Sequence, residues 1–336
     1  MSSSRPTDPR VFFREAVARA LREEMERDER VMILGEDVGA KGGVFGVTDG
    51  LQKQFGEWRV LDSPLAESCI VGVAIGAALN GMRPIAEIQF QDFIMPAVDQ
   101  IISEAAKMRY RSNGDWGVPM VVRAPFGGGV HGALYHSQSI EAIFCHIPGL
   151  RVVVPSSPYD AKGMIIGALR DPDPVLYFEH KRAYRAIKGD VPDDACWRVP
   201  IGVAAIARPG NDATVVTYGM HRHLAVEAAD RLAAEGVGDV EVLDLRTISP
   251  LDVDAILESV RRTSRCLVVH EDNRSFGVGA EVAAVVAEEA FYDLDAPVRR
   301  LCTADVPAFP FAPPLEAELS IGADEIGVAL RALLDA

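Results

Sequence analysis

The sequence predicts an α/β protein built of two doubly wound, mostly parallel-sheet domains. Three observations carry that expectation. Short apolar runs of strand length alternate with segments whose apolar residues recur at helical spacing, over nearly the whole chain. A length of 336 residues exceeds one ordinary hydrophobic core. The alternation is interrupted once, by a charged stretch from His180 to Pro200 that holds two prolines and Asp193-Asp194 and has the composition of an interdomain linker. The expected division is a first domain over 1–185, a linker over 186–200 and a second domain over 201–336.

The bulk properties narrow the class. Hydrophobic content of 49% beside 25% charged residues is that of a soluble globular chain. A net charge of -15 argues against nucleic acid or an anionic membrane as main partner, since both are met by basic patches. Cys69, Cys145, Cys196, Cys266 and Cys302 have no paired spacing, which fits free thiols in a reducing cytoplasm better than a zinc site or a disulfide framework. The stretch Met1–Pro9 is polar and expected to fray. It has no apolar signal core, and no uncharged apolar run reaches membrane-spanning length, so a cytoplasmic location is expected.

The elements follow in order. Val11 to Arg27 has a helical apolar stripe, Val31–Leu34 is a short buried strand, and Gly39–Gly46 is a glycine-rich loop without the spacing of a phosphate cradle. Thr48 to Phe55 reads as a short helix, Trp58–Leu61 as an apolar run broken at Ser63-Pro64, and Ile70–Leu79 as a small-residue apolar helix. Arg83–Phe90 reads as a strand, Phe93–Arg109 as one long helix, and Pro119–Arg123 as a buried strand that runs into a loop bearing glycines and histidines, Ala124–Ser139. Such a loop, after a parallel strand, lies where open α/β sheets place their ligands. Leu150–Pro155 and Val175–Glu179 are strands around the helix Pro158–Arg170. Past the linker, strands at 214–218, 240–245, 266–270 and 298–303 alternate with helices at 222–236, 251–262, 279–290 and 323–334.

No local motif supplies a whole catalytic centre. The nucleophile elbow, the phosphate-binding lysine loop and the zinc-binding His-Glu-x-x-His are missing, and Gly277-x-Gly279 lacks the third glycine of a dinucleotide fingerprint. What remains are single polar groups at strand ends: Glu67, Gln89, Asp92 with Phe93, His131, His136, and His270 with Glu271 and Asp272. An acid in a first helical turn can simply favour the helix. A carboxylate beside as much apolar surface as Ile70–Leu79 is, however, costly to ionise unless something pairs with it or takes its proton. Gln89 reads equally as a core amide and Phe93 as a core ring. His136 lies among donors and acceptors on a glycine-permitted turn, whereas His270 ends a buried strand and could be structural.

Seven motifs recur together and in order: Gly35-Glu-Asp-Val38, Lys41-Gly-Gly-Val-Phe45, Asp62-Ser-Pro-Leu-Ala-Glu67, Ala86-Glu-Ile-Gln-Phe-x-Asp-Phe93, Gly132-Ala-Leu-Tyr-His-Ser-Gln-Ser139, Leu150-Arg-Val-Val-x-Pro155 and Asp244-Leu-Arg-Thr-Ile-x-Pro250. With them nearly the whole chain resembles the beta subunit of the thiamine-diphosphate-dependent 2-oxo acid dehydrogenase component, and its branched-chain branch more than its pyruvate or acetoin branch. The resemblance implies a transketolase-like pyrimidine-binding domain followed by a transketolase C-terminal-like domain, in an α2β2 heterotetramer. It implies thiamine diphosphate bound between an alpha and a beta chain, with magnesium and diphosphate held by the alpha chain through a Gly-Asp-Gly…Asn motif. Only the fragment Asn113-Gly-Asp-Trp116 is present here, so the chain alone is expected to be inactive.

Carried over by position, Glu67 would hydrogen-bond the aminopyrimidine ring nitrogen. Phe93 would pack on that ring, with Gln89 and Leu65 lining the same pocket. His136 would face the 2-oxo acid substrate and donate a proton to the lipoyl dithiolane as it opens. The second domain would supply dimer contacts and dock the dihydrolipoyl acyltransferase core. A structural potassium ion would be ligated near Met120, Ala168 and Leu169 through backbone carbonyls, with Asp171 and Asp173; a plain Asp-Pro-Asp-Pro turn is the other reading of that segment. A subunit that only scaffolds a partner, and a self-sufficient transketolase-like enzyme, are the competing readings.

Overall fold

The computed structural model describes residues 10–336, so the expected frayed stretch Met1–Pro9 lies outside the described residues. The chain enters through a two-residue strand β1 (Val11–Phe12) and helix α1 (Phe13–Arg27). Phe13, Ala16, Val17, Ala20, Leu21 and Met25 recur at helical spacing and are all buried, which lays one stripe of α1 on the core. Then come β2 (Val31–Gly35), α2 (Leu51–Phe55), β3 (Val60–Asp62), α3 (Glu67–Leu79) and β4 (Arg83–Glu87). The short α4 (Met108–Arg111), β5 (Val121–Phe126), α5 (Glu141–Cys145), β6 (Arg151–Val153), α6 (Pro158–Arg170) and β7 (Val175–His180) complete the alternation. Helix α6 begins where Ser157 caps it by accepting from the Asp160 amide at 3.2 Å, with Pro158 in the first turn where no amide is needed.

In the first sheet β6, β7, β5, β4, β2 and β3 lie side by side in that order, all parallel. Two expectations change here. The helix expected over Phe93–Arg109 is broken into a 3-10 turn at Gln91–Ala97, a π turn at Gln100–Glu104, a second 3-10 turn at Ala105–Lys107 and α4. Pro96 removes an amide inside the first of these, and its ring blocks the regular α-helical ladder. The stretch expected as linker carries α7 (Ala183–Ala186) and β8 (Lys188–Gly189), and β8 pairs antiparallel with β1 through Val11 opposite Gly189.

The second sheet is built from β9 (Ala205–Arg208), β10 (Ala213–Thr217), β11 (Val240–Asp244), β13 (Cys266–Asn273) and β14 (Arg299–Thr303), in the order β14, β13, β10, β11, β9. Only β9 among them runs antiparallel. Helices α8 (Met220–Ala234), α9 (Val253–Thr263), α10 (Val278–Glu289), α11 (Pro313–Leu319) and α12 (Ala323–Leu334) surround it. The strand β12 (Thr247–Ser249) leaves this unit and adds antiparallel to β6 of the first sheet. Phe126, Phe144 and Phe178 share one buried apolar cluster with Val216, Tyr218, Leu243 and Val268, so the two sheets are packed through a continuous core. No helix among the described residues is long and apolar enough to cross a membrane.

Candidate active site

The strands β5, β4, β2 and β3 are neighbours and point their carboxyl ends the same way. From β2 the chain leads to β3 on one side, and from β4 to β5 on the other. The crevice between β2 and β4 is therefore a topological switch point, where open sheets bind ligands. Each of the four strand ends delivers candidate side chains to it. Under them lies a buried ion triplet: Arg123 on β5 is 2.5 Å from Glu87 of β4 and 2.9 Å from Glu179 of β7. Burial opposes the Arg123 charge, but the two flanking carboxylates outweigh it and hold the guanidinium protonated.

The β2–β3 side is acidic. Glu67 is the first residue of α3, half-buried, and its carboxylate accepts no hydrogen bond from any described residue. Glu67 stands in the first turn of α3 but makes no side-chain cap bond, and no described residue donates to its oxygens. Gln89, just past β4, donates to Asp37 Oδ2 at 3.1 Å and leans on the Glu36 carbonyl at 3.5 Å, which bridges the crevice. Asp37 takes a left-handed backbone (φ 62) and is bonded by Lys41 at 2.6 Å. Burial, then the charges of Asp37 and Glu67, raise the Glu36 carboxyl. Leu65, between β3 and α3, is 72% exposed. The opposite face of α3 buries Ile70, Val71, Ala74, Ile75 and Ala78, while Val73 and Leu79 stay outside. An apolar helix with both faces apolar is one that expects a further cover.

The β4–β5 side is aromatic. Phe90 and Phe93 meet edge to face at 6.0 Å, and the His136 ring stands at 4.6 Å from Phe90 and 5.3 Å from Phe93, perpendicular to both. Phe93 sits in the 3-10 turn that α3 packs against. Asp92 accepts from the Ser137 and Gln138 amides at 3.2 and 3.1 Å and so fixes the chain just beyond His136. Lys181 donates to the His136 carbonyl at 2.5 Å and lies over the Phe90 ring at 5.4 Å. Burial brings the Lys181 ammonium down to about 8, against the pull of Asp92 and Glu271. The structure thus brings Phe93 and His136 together and sets Gln89 against Asp37, while Glu67 and Leu65 lie at the start of α3.

The remaining candidates separate. His131 is exposed, and its Nδ1 lies 2.5 Å from Glu316 of α11. His270 is a buried structural histidine: its Nε2 accepts from the Gly279 amide at 2.9 Å, its ring stacks on Tyr218 at 6.0 Å, and burial pushes it down to about 3. Sequence reasoning missed Lys181 and His180, because they fall in the stretch taken as linker. It also missed Glu316, on a helix with no periodic signal of its own.

Four of the five positions implied for potassium lie at the end of α6 and the turn after it, Met120 is tied to the start of β7 through Val175, and their oxygens accept hydrogen bonds. Arg83 donates to the Leu169 and Asp171 carbonyls at 2.7 and 3.2 Å, Arg151 to the Asp171 and Asp173 carboxylates at 2.7 and 3.3 Å, and Arg109 to Asp173 at 2.5 Å. The Met120 carbonyl accepts from Val175, that of Ala168 from the Asp171 amide, and the Asp173 amide bonds Asp171 Oδ1. Two guanidinium groups on the carboxylates and a third on the carbonyls beside them hold the Asp-Pro-Asp-Pro turn in this chain.

A doubly wound sheet with an acid-and-aromatic crevice at its switch point, backed by a second sheet of like design, defines the transketolase architecture. A model of the transketolase pyrimidine binding domain matches residues 10–187, and one of the transketolase C-terminal domain matches residues 202–326. The fold is shared with a split gene transketolase solved as an inactive beta4 tetramer, at a TM-score of 0.79 and 24% identity, covering 97% of this chain and 98% of that one. The 2-oxoisovalerate dehydrogenase subunit beta of Bacillus subtilis (strain 168) is 59% identical over 325 residues, 97% of this chain and 99% of its own length. The pyruvate dehydrogenase E1 component subunit beta of the same strain is 47% identical over 298 residues, 89% and 91% of the two chains. The chain belongs to the family of 2-oxo acid dehydrogenase beta subunits.

Proposed function

We propose that this chain is the beta subunit of a branched-chain 2-oxo acid dehydrogenase, the thiamine-diphosphate-dependent component that decarboxylates the substrate and acylates the lipoyl group of its acyltransferase. The observations that carry this reading are the Glu67 carboxylate at the start of α3, without a hydrogen-bond partner among the described residues, and the Phe93–His136 ring pair beyond β4. These residues fit an aminopyrimidine: a flat basic heterocycle finds an anion for its ring nitrogen and an aromatic wall for its face. Thiamine diphosphate held there would supply a nucleophilic carbon and an electron sink for the decarboxylation.

Glu67 holds and returns a proton at the pyrimidine nitrogen. Phe93 packs on the ring, Gln89 keeps the β2 loop off it, and Leu65 closes the side of the pocket. His136 gives a proton to the dithiolane sulfur when the lipoyl ring opens. Magnesium and the diphosphate belong to an alpha subunit in an α2β2 assembly, in keeping with the missing Gly-Asp-Gly…Asn motif. The exposed Leu65, Val73, Leu79 and Met95 support a covering partner on this face. The guanidinium-held turn at 168–173 leads us to assign no potassium there. The cut at 186–200, with catalytic groups before it and the dimer and acyltransferase contacts after it, is part of the same proposal, as is a cytoplasmic location.

The test is calorimetric titration of thiamine diphosphate with magnesium into this chain alone and into the chain co-expressed with its alpha partner. Tight binding in the pair only is expected. Equal affinity for the single chain would favour a self-sufficient transketolase-like site, and no binding in either would favour a scaffold.

A further inference from the structure

The loop that carries His136 has few backbone hydrogen bonds of its own. Gly127, Gly129, His131 and Ala133 all take left-handed φ values of 94, 73, 55 and 53, and for the last two that conformation is strained. Within the loop the backbone bonds are sparse: the Gly127 amide reaches the Gln138 carbonyl at 3.0 Å and the His136 amide the Ala133 carbonyl at 3.4 Å. The amides of Gly128, Gly129 and His131 instead point out of the loop, and what they meet comes from the other domain.

We propose that Glu271 of β13 and Glu316 of α11 are positioning residues for the acyl-transfer step, which clamp this loop so that His136 is presented to the incoming lipoyl group. Glu271 accepts from the Gly128 amide, from Ser139 Oγ at 3.3 Å and, through its other oxygen, bonds His180 Nε2 at 2.8 Å. Glu316 accepts from the Gly129 and His131 amides at 2.9 and 3.2 Å with one oxygen, and pairs with His131 Nδ1 at 2.5 Å through the other. Both are buried. Only a carboxylate offers enough acceptor sites on one side chain to gather three donors, and its charge shortens each bond. Gly127 completes the clamp, because a Cβ there would stand 2.3 Å from His180 Nε2.

The anchors bracket the histidine. Glu271 takes the start of the loop and Ser139, Glu316 takes its middle, and Asp92 takes the Ser137 and Gln138 amides. His136 lies between the Glu316 and Asp92 anchors, with its ring against Phe90 and Phe93. The second domain therefore reaches the chemistry through these two carboxylates. This inference rests on the role given to His136 above.

The experiment uses the chain assembled with its alpha partner and reads two rates: decarboxylation coupled to ferricyanide, and reductive acylation of an isolated lipoyl domain. Glu316→Ala is expected to lower kcat for lipoyl acylation at least tenfold while leaving the ferricyanide rate within twofold. Glu316→Gln, which keeps an oxygen for the two amides, is expected to recover most of the loss, and Glu271→Ala to show the same selective defect. His136→Gln is the reference and should lose lipoyl acylation. If His136→Gln is defective and Glu316→Ala is not, or if Glu316→Ala loses both rates in parallel, the clamp is overturned and the role of His136 stands. If His136→Gln acylates normally, the role of His136 falls and the clamp with it.

Discussion

Glu67 and Glu271 stand at comparable places in two sheets of the same design, one just past β3 and the other near the end of β13, yet the fold treats them oppositely. Glu271 is buried and gathers Gly128, Ser139 and His180; burial pushes its carboxyl up, and the His180 and His221 rings with the Gly128 amide more than reverse this, to about 2. Glu67 is half-buried and has no hydrogen-bond donor among the described residues. A buried carboxylate must find donors within the chain or it destabilises the fold. One left open beside an apolar helix is available to something the chain does not contain. The number of donors, more than the position on the sheet, separates the acid the fold uses from the acid we propose reacts.

The largest expected effect tests that separation directly. In the assembled dehydrogenase Glu67→Gln should lower kcat by about 10²- to 10⁴-fold, the usual weight of a positioned proton-transfer group. Its urea-unfolding free energy should stay within about 0.5 kcal/mol of the parent chain, because no partner is lost. A variant that keeps its rate, or one that unfolds far more easily, would break the comparison, since Glu67 would then behave as Glu271 does.

A smaller effect comes from a cation that is only partly satisfied. Lys181 faces the His136 carbonyl and the Phe90 ring, with Asp92 and Glu271 as the nearby acids, and burial holds its ammonium down to about 8. In the unfolded chain the same group titrates near about 10.4. Between these values the unfolded chain binds one more proton than the folded one, so stability rises with pH through that window, by up to about 1.4 kcal/mol per pH unit. Lys181→Met removes this term. Its stability advantage over the parent chain at neutral pH should therefore shrink steadily from pH 8 upward, read by urea titration at a series of pH values. A constant difference would mean that the charge is held at no cost.

The ends of local motifs were the legible part of this molecule. Helix α6 was expected over Pro158–Arg170 and is found there, because its serine cap, its proline and its apolar stripe are all written within one segment. Gln89, Phe93 and His136 could be singled out because each follows a strand that announces itself by its apolar run. The broken helix after Phe93 was misread although Pro96 was in view, since the apolar stripe ran on past it. The clamp was illegible for another reason: Gly128 and Glu271 are 143 residues apart, and Gly129 and Glu316 are 187 apart. No periodicity reports such a pairing. The strand β12 is three residues long and carries no alternation to detect, yet it ties the second domain to the first sheet.

Asp171 and Asp173 offer the smallest effect and the sharpest use of the comparison. They are carboxylates with partners, as Glu271 is, but their partners are the guanidinium groups of Arg151 and Arg109, while Arg83 holds the carbonyls beside them. At an effective dielectric of about 20, each fixed positive charge about 5 Å away would repel an added cation by about 3 kcal/mol. A potassium ion bound there with a Kd near 1 mM would stabilise the protein by about 2.7 kcal/mol in about 0.1 M salt, a shift of several degrees in Tm. Exchanging potassium for sodium at equal ionic strength should instead move Tm by less than about 1 °C, because the donors already present leave no oxygen set for the ion to complete. A rise specific to potassium would mean that the arginines release the turn when the ion arrives. Donor number in the isolated chain would then no longer distinguish a finished carboxylate from one that waits for a ligand.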